Sequence, residues 1–529
     1  MANSLRNLES VVRLKVGPDK IWQNLTVLLF TVRAVAAVAL VVPWLLAPSV
    51  TSLAVACAAA LLIAGSFVRW ILLLLIAEPD YIPPASGLRV AIVTSFVPSA
   101  ESLPMLERTL AAMTRVAYAH DTWLLDEGDD EAAIELCQRL GVKHFSRKCK
   151  PEYQTGQGRL QRGTKHGNYN AWLTERGFAD YDVLAAIDPD HVPDTSFLME
   201  TLGQLSDPSI AYVQSPQEYY NLPASVIARG CSEESRDYYW ITQRAYQRFR
   251  SPSVIGCHGV HRMQVLKTLG GLAAHIADDL LLTLQYQMSG WKGAYVPKVL
   301  AKGLAPVDWP TYLKQQRRWA SSLFDVKFRL YPRMTRAMPL STRVVGFLQG
   351  LTYFQDAAAA MCCAIALCAV LMTGLPTSFA STATTPAFLI SAGVLLITGV
   401  YPHLYHGSHR NLAFYWRAAW LRMVKWPYTL LALSSLIRRR DRGYELTTKG
   451  NQPSAIDWAL YWPHLLICAI VFAAWAFGVS RGSTSGLLPH LLAALAVLPS
   501  LTLIASSLRE APAAFDPMLA DRHIDEVRS

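Results

Sequence analysis

Long unbroken apolar runs near both ends of the chain enclose a middle region in which short apolar runs alternate with helix-like ones. Six long runs, at residues 25–46, 53–77, 351–373, 387–406, 458–479 and 487–506, reach about the 20 helical residues that a hydrocarbon layer of roughly 30 Å demands. They predict six membrane-spanning helices. The first has too long an apolar core, and too bulky an end at Pro43, Trp44 and Leu45, for a cleaved signal peptide, so it is expected as an anchor. Between residues 88 and 297 the period changes. Short β-branched or apolar runs at 90–94, 122–125, 183–187 and 210–213 alternate with helical patterns, which predicts a mostly parallel sheet covered by helices. The expected organisation is a tail with two spans (1–83), an α/β domain (84–343), four further spans with an interfacial helix and loop at 408–456 (344–507), and a short tail (508–529).

Composition supports the membrane reading: 52% of the 529 residues are hydrophobic and 17% charged, which excludes disordered and disulfide-scaffold classes. The net charge of +10 is unevenly placed. Residues 408–443 hold eight basic side chains (Arg410, Arg417, Arg422, Lys425, Arg438, Arg439, Arg440, Arg442) against one acid, Asp441, whereas 374–386 hold no charge. With an even number of spans before each, both termini and the α/β domain fall on the basic, cytosolic side. Phe414, Trp416, Trp420, Trp426 and Tyr428 interleave with these cations, so the segment reads as interfacial rather than nucleic-acid binding. Arg33 and Arg69, inside predicted spans, are expected to snorkel toward head groups. The nine cysteines show no metal-ligand or disulfide spacing and are expected to be reduced.

Ligands of such sheets bind beyond the carboxyl ends of the strands, so the polar residues that follow each apolar run carry the candidate chemistry. Asp126 and Glu127 follow one run, and Asp188, Asp190 and His191 follow another. No dinucleotide fingerprint follows the first strand and no Walker loop occurs. Two carboxylates two residues apart suit one hard divalent cation that leaves positions open for a diphosphate; on the motif alone, a plain Asp-Pro-Asp turn accounts for them equally well. Lys165, followed by His166, Gly167 and Asn168, offers a point charge for phosphate, with Gly167 permitting close backbone approach; alone it is an ordinary loop lysine. Asp278 and Asp279 precede a helical run, where one caps and the other can act as general base. Gln315, Arg317, Arg318 and Trp319 combine phosphate-binding guanidinium groups with a ring that can stack on a sugar; a membrane-interface anchor has the same composition.

In this order the residues resemble the processive, membrane-embedded family 2 glycosyltransferases, the cellulose, hyaluronan and chitin synthases. That family's early Asp, Lys-x-Gly-Asn, DxD, TED and QxxRW motifs match at Asp126, Lys165 to Asn168, Asp188 to Asp190, Ala277 to Asp279, and Gln315 to Trp319. Val213 to Pro216 and the segment Tyr444 to Lys449 look like cellulose synthase, the latter like its gating loop. TED is Ala-Asp-Asp here, and the gating-loop Phe is Tyr444. Two spans before the domain and four after it match the hyaluronan synthase layout, and the tail after 506 is expected to be too short for a cyclic-dinucleotide-binding domain.

The resemblance implies a Rossmann-like GT-A domain inserted into a helical bundle, and an inverting transfer that builds a polysaccharide in an inner or plasma membrane. It implies that Asp126 holds the uracil, that Lys165 and Arg318 bind the diphosphate, and that Asp188 contacts the nucleotide. Asp190 and His191 would bind Mg2+ or Mn2+, and Asp279 would be the base. Gln315, Trp319 and Cys257 would meet the acceptor, and Tyr444, Thr447 and Lys449 would close over the nucleotide. The expected partners are a UDP-sugar, the growing polysaccharide and the bilayer, with room for envelope accessory proteins and none for nucleic acid. UDP-glucose and a β-glucan are the first expectation. An amino-sugar donor, a non-processive lipid glycosyltransferase and an inactive translocation subunit are the alternatives. Gln355 and Asp356, at the start of the third span, are candidate channel residues.

Overall fold

The computed structural model describes residues 14–16, 20–46, 49–336, 338, 340–348, 350–374, 384–405, 415–438, 458–484 and 487–509. Five of its helices are long and apolar enough to cross a bilayer: Lys20–Leu45, Val50–Leu74, Thr352–Thr373, Trp462–Arg481 and the stretch Pro489–Ser507. The sixth expected span, at 387–406, is a shorter apolar helix, Thr384–Val400, that tightens into a 3-10 turn at Tyr401–Tyr405. Pro402 lacks the N–H that would continue the α-helical ladder, and Tyr401 stacks on Trp70 of the second long helix at 5.2 Å, which fixes the turn. These helices turn bare side chains outward; Val35, Leu396 and Phe472 are 66%, 73% and 64% exposed, a surface suited to lipid.

Between the second and third long helices lies a seven-stranded sheet. Its strands are β1 (Val90–Phe96), β2 (Asp121–Asp126), β3 (Lys143–Phe145), β4 (Val183–Ile187), β5 (Ile210–Gln214), β6 (His258–Arg262) and β7 (Lys292–Tyr295), in the spatial order β7-β5-β6-β4-β1-β2-β3. The pairs are parallel except those of β6, which runs antiparallel to both β4 and β5. The expectation of a mostly parallel sheet holds, and the exception matters for the site. One face packs Ile92, Leu124 and Val260 against helix residues Leu106, Leu110 and Leu136; the other packs Val93, Leu125 and Tyr212 against Trp172, Leu266 and Tyr286. Strand β6 reads His-Gly-Val-His-Arg and has no apolar period. It is buried because its polar groups find partners: His258 meets Ser215 Oγ at 2.9 Å, and His261 Nδ1 meets the Tyr286 hydroxyl at 3.0 Å.

Within the basic segment 408–443, Trp416–Ile437 forms a helix seated on the α/β domain. Leu421, Val424 and Tyr428 join a core with Ile227, Trp309, Tyr312 and Leu313. Three of its cations meet acids of one domain segment: Arg417 with Glu233 at 2.7 Å, Lys425 with Glu234 at 2.6 Å and Arg422 with Asp237 at 3.1 Å. Arg33 and Arg69 turn inward instead of snorkelling: Arg33 is 6% exposed, and Arg69 pairs with Asp237 at 2.6 Å. Inward polar partners hold these guanidinium groups without a reach to the head groups.

Candidate active site

Because β6 is antiparallel, its first residue shares an edge with the end of β4, and His258 stands opposite Ile187. The polar residues after β4 therefore meet the loop before β6. Asp188 N–H donates to the Cys257 carbonyl at 2.7 Å. Gly256 is the hub of this edge: its carbonyl accepts from Lys165 Nζ at 2.5 Å, and its N–H donates to Asp279 Oδ2 at 3.2 Å. Gln214, at the end of β5, grips the same loop from below, donating to the His258 carbonyl at 2.5 Å and accepting from Ile255 N–H at 2.9 Å.

Lys165 opens the helix Lys165–Trp172 and is not a loop residue; the Thr164 hydroxyl caps this helix by accepting from Gly167 N–H at 3.1 Å. A methyl group on Gly167 would strike the Gln161 carbonyl and the Arg147 guanidinium, so this glycine serves close packing behind the site, not approach to a phosphate. Lys165 forms an ion pair with Asp188. Burial opposes its charge, yet Asp188, with help from Asp278, holds its pKa well above the ordinary lysine range.

Asp278 and Asp279 begin the helix Asp278–Met288. Asp279 Oδ1 accepts from Leu280 N–H at 2.7 Å, and Asp278 Oδ1 accepts from Asp279 N–H at 3.0 Å. Burial and the neighbouring carboxylates Asp279 and Asp188 push Asp278 up to about 7 against the pull of Lys165. Burial also raises Asp279, against the N–H groups of Leu280 and Gly256. A carboxylate made more basic in this way suits proton abstraction near neutral pH.

The Asp-Pro-Asp segment is a turn, with His191 N–H on the Asp188 carbonyl at 2.9 Å, and it is also a ligand cluster. The ligand atoms of Asp188, Asp190 and His191 lie within 4.8 Å of one another. His191 Nδ1 lies 3.0 Å from Asp190 Oδ1, while Gln217 Nε2 stands 3.1 Å from His191 Nε2. Cys257 lies against this group, its Sγ 3.1 Å from His258 Nδ1. Burial alone raises its thiol, and the imidazoles of His258 and His191 reverse that, drawing it down to about 6.

Gln315, Arg318 and Trp319 share one face of the helix Trp309–Phe324, whose first turn the Asp308 carboxylate caps by accepting from Thr311 N–H at 2.8 Å. They line the same cavity as Lys165, Asp188, Asp190, His191, Cys257, Asp278 and Asp279. Its volume is about 1080 Å³, and it continues between the spans past Arg33, Gly65, Gln355 and Asp356. Gln355 and Asp356 are thus cavity residues and not mere interface polars. Of the expected nucleotide ligands, Asp126 does not reach the cavity. It is fully buried, and its carboxylate accepts from Gly128 N–H at 2.8 Å and Asp130 N–H at 2.6 Å, closing the turn after β2. Glu127 pairs with the buried Arg147 at 2.8 Å. Tyr444, Thr447 and Lys449 lie outside the described residues.

Sequence reasoning missed a strap between the helix that begins at Asp278 and the end of the helix that bears Arg318. His275 Nδ1 accepts from Ala277 N–H at 3.0 Å, so its proton sits on Nε2, which donates to Asp325 Oδ2 at 3.0 Å, one residue beyond the helix that bears Arg318. A lone His two residues before Ala-Asp-Asp carries no signal of this kind.

Residues 91–322 match the family model described as "Glycosyltransferase like family 2". The cellulose synthase catalytic subunit [UDP-forming] of Pseudomonas fluorescens is 24% identical over 411 residues, 74% of this chain and 52% of that protein. The cellulose synthase 1 catalytic subunit [UDP-forming] of Komagataeibacter xylinus is 23% identical over 421 residues, 75% of this chain and 52% of that protein. The chain thus spans about half the length of these relatives. Among solved structures, the mannosyltransferase PcManGT from Pyrobaculum calidifontis, in complex with GDP-Man and Mn2+, aligns with a TM-score of 0.50 at 15% identity, covering 74% of this chain and 99% of its own. That likeness shows a shared glycosyltransferase fold.

Proposed function

We propose that this chain, whose residues 91–322 match the family 2 glycosyltransferase model, is a processive inverting synthase that draws on UDP-glucose and passes a β-glucan into the membrane. The observation that carries this reading is one cavity that begins at Lys165, Asp188 and Asp279 and runs on between the apolar helices past Gln355 and Asp356. A polymer of hydroxyl groups cannot cross hydrocarbon without hydrogen-bond partners, and a polar cavity joined to the site of synthesis supplies them. The cellulose synthase relatives favour glucose as the donor.

Transfer proceeds by one displacement. The acceptor hydroxyl oxygen attacks C1 of the α-linked donor sugar, its proton passes to Asp279, and the bond from C1 to the diphosphate breaks to leave UDP and a β link. Asp279 has both oxygens fixed by N–H groups, so the base is oriented before substrate arrives. Lys165 and Arg318 bind the diphosphate, and Trp319, 38% exposed on the cavity wall, stacks on the acceptor sugar. Asp188, Asp190 and His191 fit a divalent ion such as Mg2+ or Mn2+: two carboxylates and an imidazole converge on one edge of the cavity. Such an ion supplies electrostatic stabilisation of the leaving diphosphate.

The test is polymer synthesis by purified protein from radiolabelled UDP-glucose and UDP-N-acetylglucosamine side by side, with linkage analysis of the product. Incorporation of the amino sugar alone overturns the glucan reading. Single-sugar transfer to lipid without polymer overturns processivity, and failure to release UDP from any donor identifies an inactive translocation subunit.

A further inference from the structure

The first span carries a charged group that the reaction does not use. Arg33 stands eight residues into the apolar run that starts at Leu25, roughly 12 Å deep at 1.5 Å per residue in a hydrocarbon layer of roughly 30 Å. It is 6% exposed. Its Nη1 donates to the Leu395 carbonyl at 2.5 Å and to Thr398 Oγ1 at 2.6 Å, and its Nη2 donates to Ser66 Oγ at 2.5 Å. All three acceptors are neutral, and Nε has no partner. A guanidinium has five N–H groups, so two of them remain undonated, one on the buried Nε and one on Nη2. The other cavity cations near the membrane differ: Arg69 and Arg422 share Asp237, and Lys425 holds Glu234.

Arg33 also lines the cavity, beside Leu61, Gly65, Ser66 and Gly399. Next to Gly399, a methyl group would meet nothing within 4 Å except Arg33 Nη1, so the glycine leaves the cavity wide at this level. An ionic side chain at membrane depth that faces a cavity instead of an acid marks a polar path.

We propose that Arg33 is a hydrogen-bonding rung for the translocating glycan: its spare Nη2 N–H donates to hydroxyl or ring oxygens of successive sugar units as the chain passes from the active site into the membrane. The match is chemical. An uncharged glycan is rich in acceptor oxygens, and a guanidinium offers donors alone, held in a plane that three neutral oxygens fix. This proposal rests on the processive reading above.

The test uses the full-length protein with Arg33→Leu and Arg33→Gln. Two quantities are measured: the rate of first transfer to a short oligosaccharide, read as UDP release, and the length of radiolabelled product by size exclusion. With leucine the product is expected to shorten about fivefold, the effect of one lost hydrogen bond on chain retention, with a smaller change for glutamine. First transfer stays within about twofold, since Arg33 touches none of the reacting groups. Wild-type product length from the leucine variant, or equal loss of first transfer and of length in both variants, overturns the proposal; equal loss is what a purely structural tie between spans would give. A second measurement does not depend on replacing Arg33. In Ser66→Cys, the new thiol beside the guanidinium should react with a water-soluble maleimide in resting protein and be protected once UDP-glucose lets a chain grow. Equal labelling with and without donor overturns the proposal. Absence of polymer from the wild type overturns the processive reading, and this proposal with it.

Discussion

Replacing Lys165 by methionine removes the positive charge that offsets the acids of the site while keeping the length and apolar stem of the side chain. Lys165 Nζ and Asp279 Oδ2 hold opposite ends of the Gly256 backbone, at 2.5 and 3.2 Å. At a separation on the order of 6 Å and an effective dielectric of about 20, one unit charge is worth about 3 kcal/mol, or about 2 pK units. The charge of Lys165 lowers the pKa of both Asp278 and Asp279, while Asp188, its ion-pair partner, raises both and remains in place. The sign follows directly. A general base works when ionised, so activity falls as the pH drops through its pKa, and a higher pKa moves that limb to higher pH. The starting point lies above the ordinary carboxylate range, since burial raises Asp279 as it does Asp278. In Lys165→Met the acid limb of the kcat profile should move upward by about 1 to 2 units, and the maximum rate should fall about 10- to 100-fold through loss of a charge-assisted contact to the diphosphate. Lys165→Arg keeps the charge and should leave the limb in place. The assay is UDP release at saturating donor from about pH 5.5 to 9.5, a range that brackets the expected limb. An unmoved limb, or one displaced to lower pH, refutes the assignment of the titrating base to this pair of acids.

Asp279→Asn should bind UDP with nearly wild-type affinity by calorimetry and lose at least about 100-fold in transfer, because the base acts on the acceptor proton and not on the diphosphate. Chelation should stop turnover and Mg2+ or Mn2+ restore it, with Asp190→Ala raising the metal concentration needed for half-activity; turnover that survives exhaustive chelation counts against the metal assignment. His275→Ala removes two hydrogen bonds of about 1 kcal/mol each, so kcat should fall up to about 30-fold while KM for donor stays put, and Asp325→Asn should reproduce part of the fall. A change in KM alone would assign the strap to substrate binding. Thr447→Ala with Lys449→Ala should lower turnover more than membrane insertion, as measured by UDP release and by alkaline extraction of membranes; unchanged turnover leaves that segment as a lipid-contacting loop.

Hydropathy, strand periodicity and motif order could be read along the chain because each is a property of neighbours in sequence. The apolar stretches 25–46 and 53–77 became long helices since length and composition alone decide whether a helix can span lipid, and β4 formed at Val183–Ile187 from a continuous apolar run. Asp188 and Asp190 follow that run directly, so their place at the strand end was also legible. The tertiary structure decided the rest. Strand β6 has no apolar period, and only its two-sided pairing with β4 and β5 buries its histidines and delivers Gly256 to Lys165 and Asp279. Asp126 and Asp188 look alike in sequence, as acids at strand ends, yet the turn after β2 folds back onto one carboxylate and leaves the other to face Lys165. Arg33 reads as a snorkelling residue until three neighbours from distant helices are seen to hold it beside the cavity. Whether a polar group is satisfied, exposed or aimed at a ligand depends on the conformation of the turn beside it, as at Asp126, or on partners tens to hundreds of residues away, as at Asp188 and Arg33, and neither is set until the chain has folded.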